Sequence, residues 1–382
     1  MKRNTGTYAT STTLGEPVRA YLPHPLPPAE PPLAAASFAD LNRQAELALA
    51  RLSGVSGLIL SVEWLLYSAV RKEALLTSQI EGTQATLTDL FDEEAGFKVS
   101  NADDVAEVSN YLRAFRLVQE QLRDPKGLPI SVRLLCDAHR LLLDGARGAG
   151  KQPGELRHSQ NWIGGTRPGN AVFVPPPPER VPELLSKLER FIHDTKDGLP
   201  PLVKIALVHA QFETIHPFLD GNGRIGRLLI AALLEHWSLL AEPLMYLSGY
   251  LKQHQAEYYR RLSVIRTEGD WESWVSFFLE GVAISAAQAE QSIIAVASLI
   301  AADRRKLLQS PQASPASYRL FELLPLMPRF TVERVRQQLQ TTFPTANAAV
   351  QMLAQLGIVV EVTGQKKNRN YRYQAYVDLL TR

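Results

Sequence analysis

One run of twelve residues, His216-Pro217-Phe218-Leu219-Asp220-Gly221-Asn222-Gly223-Arg224-Ile225-Gly226-Arg227, constrains this chain more than any other feature. The stretch before it, Leu202 to Ile215, repeats apolar residues at helical spacing and predicts a helix. Pro217 disfavours helical dihedrals at His216, so that helix ends at the histidine. Asp220-Gly221-Asn222-Gly223 reads as a turn whose glycines permit positive φ and close approach of a ligand to the backbone. Arg224 to Trp237 then reads as a second helix. The turn and the new helix N-terminus form an anion-binding nest of N–H groups. Arg224 and Arg227 share a face at that end, where cations oppose the macrodipole and an anionic ligand would account for them. A base, a carboxylate, a nest and two arginines in one arc suit a polyphosphate ester with a metal ion. The bland alternative is a solvated loop between two helices.

The string resembles the motif of the Fic family, His-x-Phe-x-Asp/Glu-Gly-Asn-Gly-Arg-x-x-Arg, at every fixed position, and the resemblance extends from about Pro23 to the C-terminus. It implies a mainly α fold: a Fic-type helical core with a small β-hairpin flap, an N-terminal helical region and a C-terminal winged-helix domain. It also implies a nucleotidyltransferase that moves AMP from ATP to a Ser, Thr or Tyr hydroxyl of a target protein or of itself. On that resemblance His216 is the catalytic base, and neutral-range titration of an ordinary imidazole suits the task. Asp220 is the Mg²⁺ ligand. Gly221, Asn222 and Gly223 hold the α- and β-phosphates, and Arg224 and Arg227 the distal ones. Phe218 is read as an apolar anchor only. Doc-like kinases carry Lys where this chain has Gly223, so the resemblance favours nucleotidyl transfer. His209, seven residues before His216, is read as a buried histidine supporting the site.

Three further elements extend the reading. Residues 61–81 form an amphipathic segment ending in Thr77-Ser78-Gln79-Ile80-Glu81-Gly82. It resembles the family's inhibitory motif Ser/Thr-x-x-x-Glu-Gly/Asn, which makes Glu81 the inhibitor of Arg227 and Thr77 its companion; an ordinary helix end is the plain alternative. Gln160 to Pro175 carries two short apolar runs around a Gly/Pro/Asn turn and reads as a hairpin. It resembles the flap, with Ile163 and Gly164 beside the nucleotide and a strand edge open to a target segment; a hairpin without a partner fits equally. Tyr250 and Tyr258 are candidates for the adenine pocket, although aromatics so spaced also build cores.

The chain has 382 residues, net charge +2 and 21% charged residues, so global charge points to neither nucleic acid nor membrane. The single Cys136 excludes an intramolecular disulfide and fits a reducing cytoplasm. No secretory signal is visible in the first twenty residues. No Cys/His cluster has zinc spacing. Leu228 to Leu251 is apolar but interrupted by Glu235, His236 and Glu242, so it reads as core. The expected layout is a Pro-rich extended arm (1–37), a helical region with the inhibitory helix (38–125), the Fic core (126–287), a connector helix and linker (288–315) and a winged-helix-like domain (316–382). In that last domain, helices are expected at 318–325, 331–340 and 345–356, and strands at 358–363 and 370–374. Lys366, Lys367 and Arg369 sit in the expected wing, but the expected recognition helix lacks a basic residue, so DNA contact and protein contact both stay open. The resemblance makes a homodimer an expectation. Two rival functions remain: a hydrolase that removes AMP with the same residues, and a DNA-binding regulator whose core only senses nucleotide.

Overall fold

The computed structural model describes residues 3–55, 61–145, 150–365, 367 and 369–381. Lys366, one of the three expected wing cations, lies outside the described residues. The architecture is mainly helical, with fifteen α-helices and five strands among the described residues.

The organising element is the helix α7 (Pro201–Ile215). Pro201 starts it at N1, where a missing N–H costs nothing. Every residue from Leu202 to Ile215 is buried, so the helix is wrapped on all sides. His216 ends it at φ 51 and ψ 63, a left-handed conformation that stops helical propagation. Gly221, at φ 74, then starts α8 (Asn222–His236). Its left-handed φ is the reason for glycine there. α7 and α8 pack against each other, and around them lie α1 (Ala39–Val55), α2 (Val62–Ile80), α4 (Ala102–Arg123), α5 (Val132–Leu142), α6 (Val181–His193), α10 (Gln255–Glu268) and α11 (Trp271–Leu308). Trp274 of α11 donates its indole N–H to the Ala206 carbonyl at 2.8 Å, pinning α11 to α7.

Several expectations need correction. The Pro-rich start is not a plain arm. Gly6–Thr13 (β1) and Glu16–Pro23 (β2) form an antiparallel hairpin; Pro17 lies near the start of β2, and the dense prolines follow from Pro23, its last residue. The Thr-rich run before Pro23 is what pairs, since β-branched residues suit a pleated strand. The expected connector is not separate: α11 runs unbroken for 38 residues across the expected boundary at 287. The apolar stretch 228–251 is split, as α8 stops at His236 and α9 (Leu247–Gln253) begins afresh. Among the described residues, one helix, α11, is long and apolar enough to cross a membrane; here it lies along α1 and α7.

The C-terminal unit runs α12 (Pro315–Leu323), β3 (Arg329–Thr331), α13 (Val332–Leu339), α14 (Phe343–Gln355), β4 (Val360–Glu361), β5 (Asn370–Arg372) and α15 (Gln374–Thr381). Its strands form an antiparallel sheet in the order β3-β5-β4. β3 and α15 were not expected, because three residues are too few for a sequence pattern and α15 follows its strand directly. The unit is docked on the N-terminal helices. Arg329 pairs with Asp92 of α3 (Leu87–Glu94) at 2.8 Å, and the buried Tyr376 donates to the Trp64 carbonyl of α2 at 3.5 Å.

Candidate active site

A cavity of about 580 Å³ opens between α2, α7, α8, α10 and the flap. Its walls include His216, Glu213, Gly223, Arg227, Glu81, Ile163, Gly164, Phe173, Tyr258 and Arg266. The base, the second arginine of the motif, the proposed inhibitor and the flap therefore meet in one place, although they are spread over more than a hundred residues of chain.

The end of α2, which carries Thr77 and Glu81, meets Arg227. Glu81 caps the C-terminus of α2, and Gly82 follows at φ 100. Arg227 donates through Nη2 to Glu81 Oε1 at 2.5 Å, through Nε to Thr77 Oγ1 at 2.6 Å and through Nη2 to the Thr77 carbonyl at 3.1 Å. Burial raises the Glu81 pKa, but the Arg227 guanidinium outweighs it and holds the carboxyl below its ordinary value. Gly223 stands against this pair: a Cβ there would lie 2.9 Å from Arg227 Nη1 and would also meet Glu81 Oε1. Its use is close approach, since it sits inside α8 and takes no positive φ.

Other motif residues do different work from that expected. Both polar atoms of the Asn222 side chain are spent on Phe218: Oδ1 accepts from its N–H and Nδ2 donates to its carbonyl, each at 2.8 Å. Asn222 thus ties the loop together, and its amide keeps a second N–H. Arg224 turns from the cavity to Glu107 of α4 at 3.2 Å, with Asp220 at 3.6 Å. Two carboxylates of the protein, Glu81 and Glu107, therefore answer the two arginines. Gly221, Asn222, Arg224 and Asp220 are absent from the cavity wall, which runs past Gly223 and Arg227. Tyr250 is core: it is buried, its ring is 5.2 Å from that of Phe277, and it packs over Gly281. Tyr258 does reach the cavity. The flap is looser than a two-stranded hairpin. One bridge pairs Ile163 with Phe173, and a 3-10 turn spans Pro168–Asn170.

His209 takes the supporting place read for it. Its Nδ1 donates to the Gly226 carbonyl at 3.1 Å, so its Nε2 accepts from the Tyr258 hydroxyl at 2.8 Å. Burial pushes its pKa down to about 3, so it is a neutral strut. Phe218 is the anchor expected, 1% exposed and stacked on His139 at 3.9 Å. His216 departs from the ordinary imidazole assumed above. Burial first, then Arg157, push its pKa down to about 4. The ring is neutral at cellular pH and able to accept a proton.

Sequence reading missed four residues. His139 accepts from the Gly154 N–H at Nδ1 (2.9 Å) and donates from Nε2 to the Asp220 carbonyl (3.0 Å), which holds the turn. Glu213 is buried on the cavity wall with Oε1 lacking a hydrogen-bond partner; burial, against the pull of Arg227, raises its pKa to about 7. Arg266 lies 3.8 Å over the Phe173 ring of the flap. Arg157 is buried against the catalytic turn. Glu213 lies three residues before His216, at helical spacing, and His139 lies far off on α5; nothing in their local patterns separates them from core positions.

Asp220 is the residue that would hold a metal. Its side chain is 46% exposed beside the N-terminus of α8, and Oδ1 accepts from the Gly221 N–H at 2.6 Å. A single accessible carboxylate beside an anion nest fits Mg²⁺, which is commonly held by one or two carboxylates plus substrate phosphates. No group of three or more metal-binding side chains is present among the described residues.

The helical core thus sets a neutral histidine and a buried arginine near a helix N-terminus around one cavity. Residues 129–234 match the sequence model of the Fic/DOC family, and residues 39–120 match that of the Fic/DOC family N-terminal region. Residues 129–234 thus form a Fic/DOC family domain, with its N-terminal region ahead of it. It is 31% identical over 162 residues to a protein adenylyltransferase Fic of Drosophila grimshawi, covering 40% of this chain and 29% of that protein. The Drosophila melanogaster protein of the same name is 30% identical, covering 40% and 28%. The chain thus spans under a third of the length of these relatives. A Fic family protein of Desulfovibrio desulfuricans superposes with TM-score 0.58 at 22% identity, covering 90% of this chain and 97% of that one. Fic-1 of C. elegans gives 0.52 at 23% identity, covering 68% and 72%. These likenesses carry the fold.

Proposed function

We propose that the chain is a protein adenylyltransferase, held inactive by Glu81. The observation that carries the reading is the shared cavity: His216, Gly223 and Arg227 face it together, and Glu81 occupies Arg227. In the reaction, neutral His216 takes the proton of a Ser, Thr or Tyr hydroxyl presented along the flap. The freed oxygen attacks the α-phosphate of ATP, an O–P bond forms, the α–β phosphoanhydride bond breaks, and pyrophosphate leaves. The α8 N-terminus and Arg227 bind the phosphates. Mg²⁺, held by Asp220, would supply further neutralisation of phosphate charge. Competition decides activity: one guanidinium pairs either with Glu81 or with a phosphate. His216→Ala should abolish transfer, by about 10²–10⁴-fold, while ATP still binds. AMP incorporation is read by mass spectrometry, and transfer retained by the folded variant would remove His216 from the role.

The reverse reading has support of its own. Glu81 lines the same cavity as His216 and is held ionised, so it is placed to orient a water toward an AMP-modified hydroxyl. Faster AMP removal by the wild type than by Glu81→Gly would favour that hydrolase.

The C-terminal unit is proposed as a winged helix, supported by its helix–strand–helix–helix–strand–strand order. Of its cations, Arg336 pairs with Glu333 and Arg334 donates to the Glu94 carbonyl. Internal pairing of these arginines favours protein contact over DNA. A cytoplasmic setting and a homodimer remain part of the proposal on the grounds given from the sequence.

A further inference from the structure

Arg157 lies outside the motif, in the segment between α5 and the flap, yet it is 1% exposed. Its Nε donates to the His216 carbonyl at 2.9 Å. Nη2 donates to the carbonyls of Pro176 at 2.5 Å and Ile215 at 3.4 Å, and Nη1 to that of Ser159 at 3.3 Å. Its own backbone N–H donates to the Pro217 carbonyl at 2.9 Å. One residue thus holds three successive carbonyls of the catalytic turn, 215 to 217, and grips the chain on both sides of the flap, at Ser159 and Pro176.

The acceptors are backbone carbonyls, and the acid that acts on Arg157 through space is the exposed Glu179. Burial pushes the guanidinium pKa down to about 10. A buried cation without a paired acid is expensive, and an apolar side chain of similar volume would fill the same space at lower cost. Two features offset that cost. The last carbonyls of α7 form the negative end of its dipole, where a cation is favoured. His216 is also strained, at φ 51 without being glycine, and such a conformation persists only where its surroundings enforce it.

We propose that Arg157 is a positioning residue for AMP transfer: its guanidinium locks the His216 turn and the flap into one register, so that base and hydroxyl meet in a fixed geometry. The inference rests on the reading of His216 as the base and of the flap as the target's seat. A planar fork with five donors meets four carbonyls, and an ammonium does not. The charge has a second effect. Around the imidazole, burial, Arg157 and Arg266 of α10 oppose protonation, while the Glu213 carbonyl of α7 and Glu81 of α2 favour it.

The test uses the full chain carrying Glu81→Gly, with Arg157→Lys and Arg157→Gln added singly. Both variants should lose about 10²-fold in kcat, as expected for a misplaced reacting group, with the ATP dissociation constant unchanged. Arg157→Gln removes the charge, so the acid limb of its kcat profile should move up toward the ordinary imidazole value of about 6.5. Arg157→Lys keeps the charge, so its limb should stay with the parent's. Folded variants with parental kcat and an unmoved limb would overturn the proposal. So would a kcat loss that merely tracks thermal stability, with the Arg157→Gln limb in the parental place. If the Glu81→Gly parent transfers no AMP, the proposed function fails instead. NMR titration of His216 then still judges the clamp: a higher pKa in Arg157→Gln than in Arg157→Lys supports it, and equal values refute it.

Discussion

Arg227 and Glu81 meet at 2.5 Å across 146 residues of sequence, inside the cavity that also holds His216. Arg227 is 3% exposed, so whatever pairs with it does so with little competition from water. The guanidinium proposed to bind the substrate's phosphates is therefore already paired with the end of α2.

Thr77 is the less visible half of that lock. It is fully buried, and its hydroxyl accepts from Arg227 Nε at 2.6 Å. Thr77→Val keeps the shape and leaves a charged donor unmet. The expected cost is roughly 1.5–3 kcal/mol of folding stability, as for loss of a hydrogen bond to a charged group. Urea unfolding should show a lower midpoint with an unchanged slope. An unchanged midpoint would mean that water or a neighbour satisfies Nε.

The pH dependence follows from two groups. His216 must be unprotonated to act, and its pKa is down at about 4. The kcat of Glu81→Gly should therefore be flat from about pH 5 to 8, without the inflection near 6.5 of a solvated imidazole. Glu213 titrates at about 7 in the same cavity. As pH rises through that value it gains negative charge beside the polyphosphate site, so KM for ATP should rise. Glu213→Gln should remove this rise. A kcat limb centred near 6.5, or a KM profile unaltered by Glu213→Gln, would contradict the two assignments.

The motif was legible because its chemistry is contiguous: base, turn and arginines come from one helix–turn–helix corner, and local spacing fixes their mutual geometry. Thr77 and Glu81 were legible for a similar reason, four residues apart on one helix face. The partners of these groups were less so. Asn222 reads as a phosphate ligand, and the two contacts of its amide with Phe218 leave no mark in the sequence pattern. Tyr250 and Tyr258 lie eight residues apart, and only the turn between α9 and α10 decides that one faces Phe277 and the other the cavity. Arg157 left no signal because its partners are carbonyls, which every residue has. Prolines hid the N-terminal hairpin by drawing attention to the segment after it.

Asp220 tests the metal assignment. If it holds Mg²⁺, Asp220→Ala should shift the Mg²⁺ midpoint for AMP transfer to much higher concentration while the fold stays intact. A midpoint equal to that of the parent would place the metal on other groups.

The central claim is that Glu81 suppresses an AMP-transferring site by holding Arg227. Intact-mass spectrometry of the wild type, Glu81→Gly and Glu81→Gly/His216→Ala, each incubated with ATP and Mg²⁺, tests it most directly. Glu81→Gly should gain AMP on its own hydroxyls well ahead of the wild type, by a factor limited by the inhibited state's free-energy bias, with about 1.4 kcal/mol per tenfold. The double variant should gain none. Equal incorporation by wild type and Glu81→Gly, or none in either, would contradict the account.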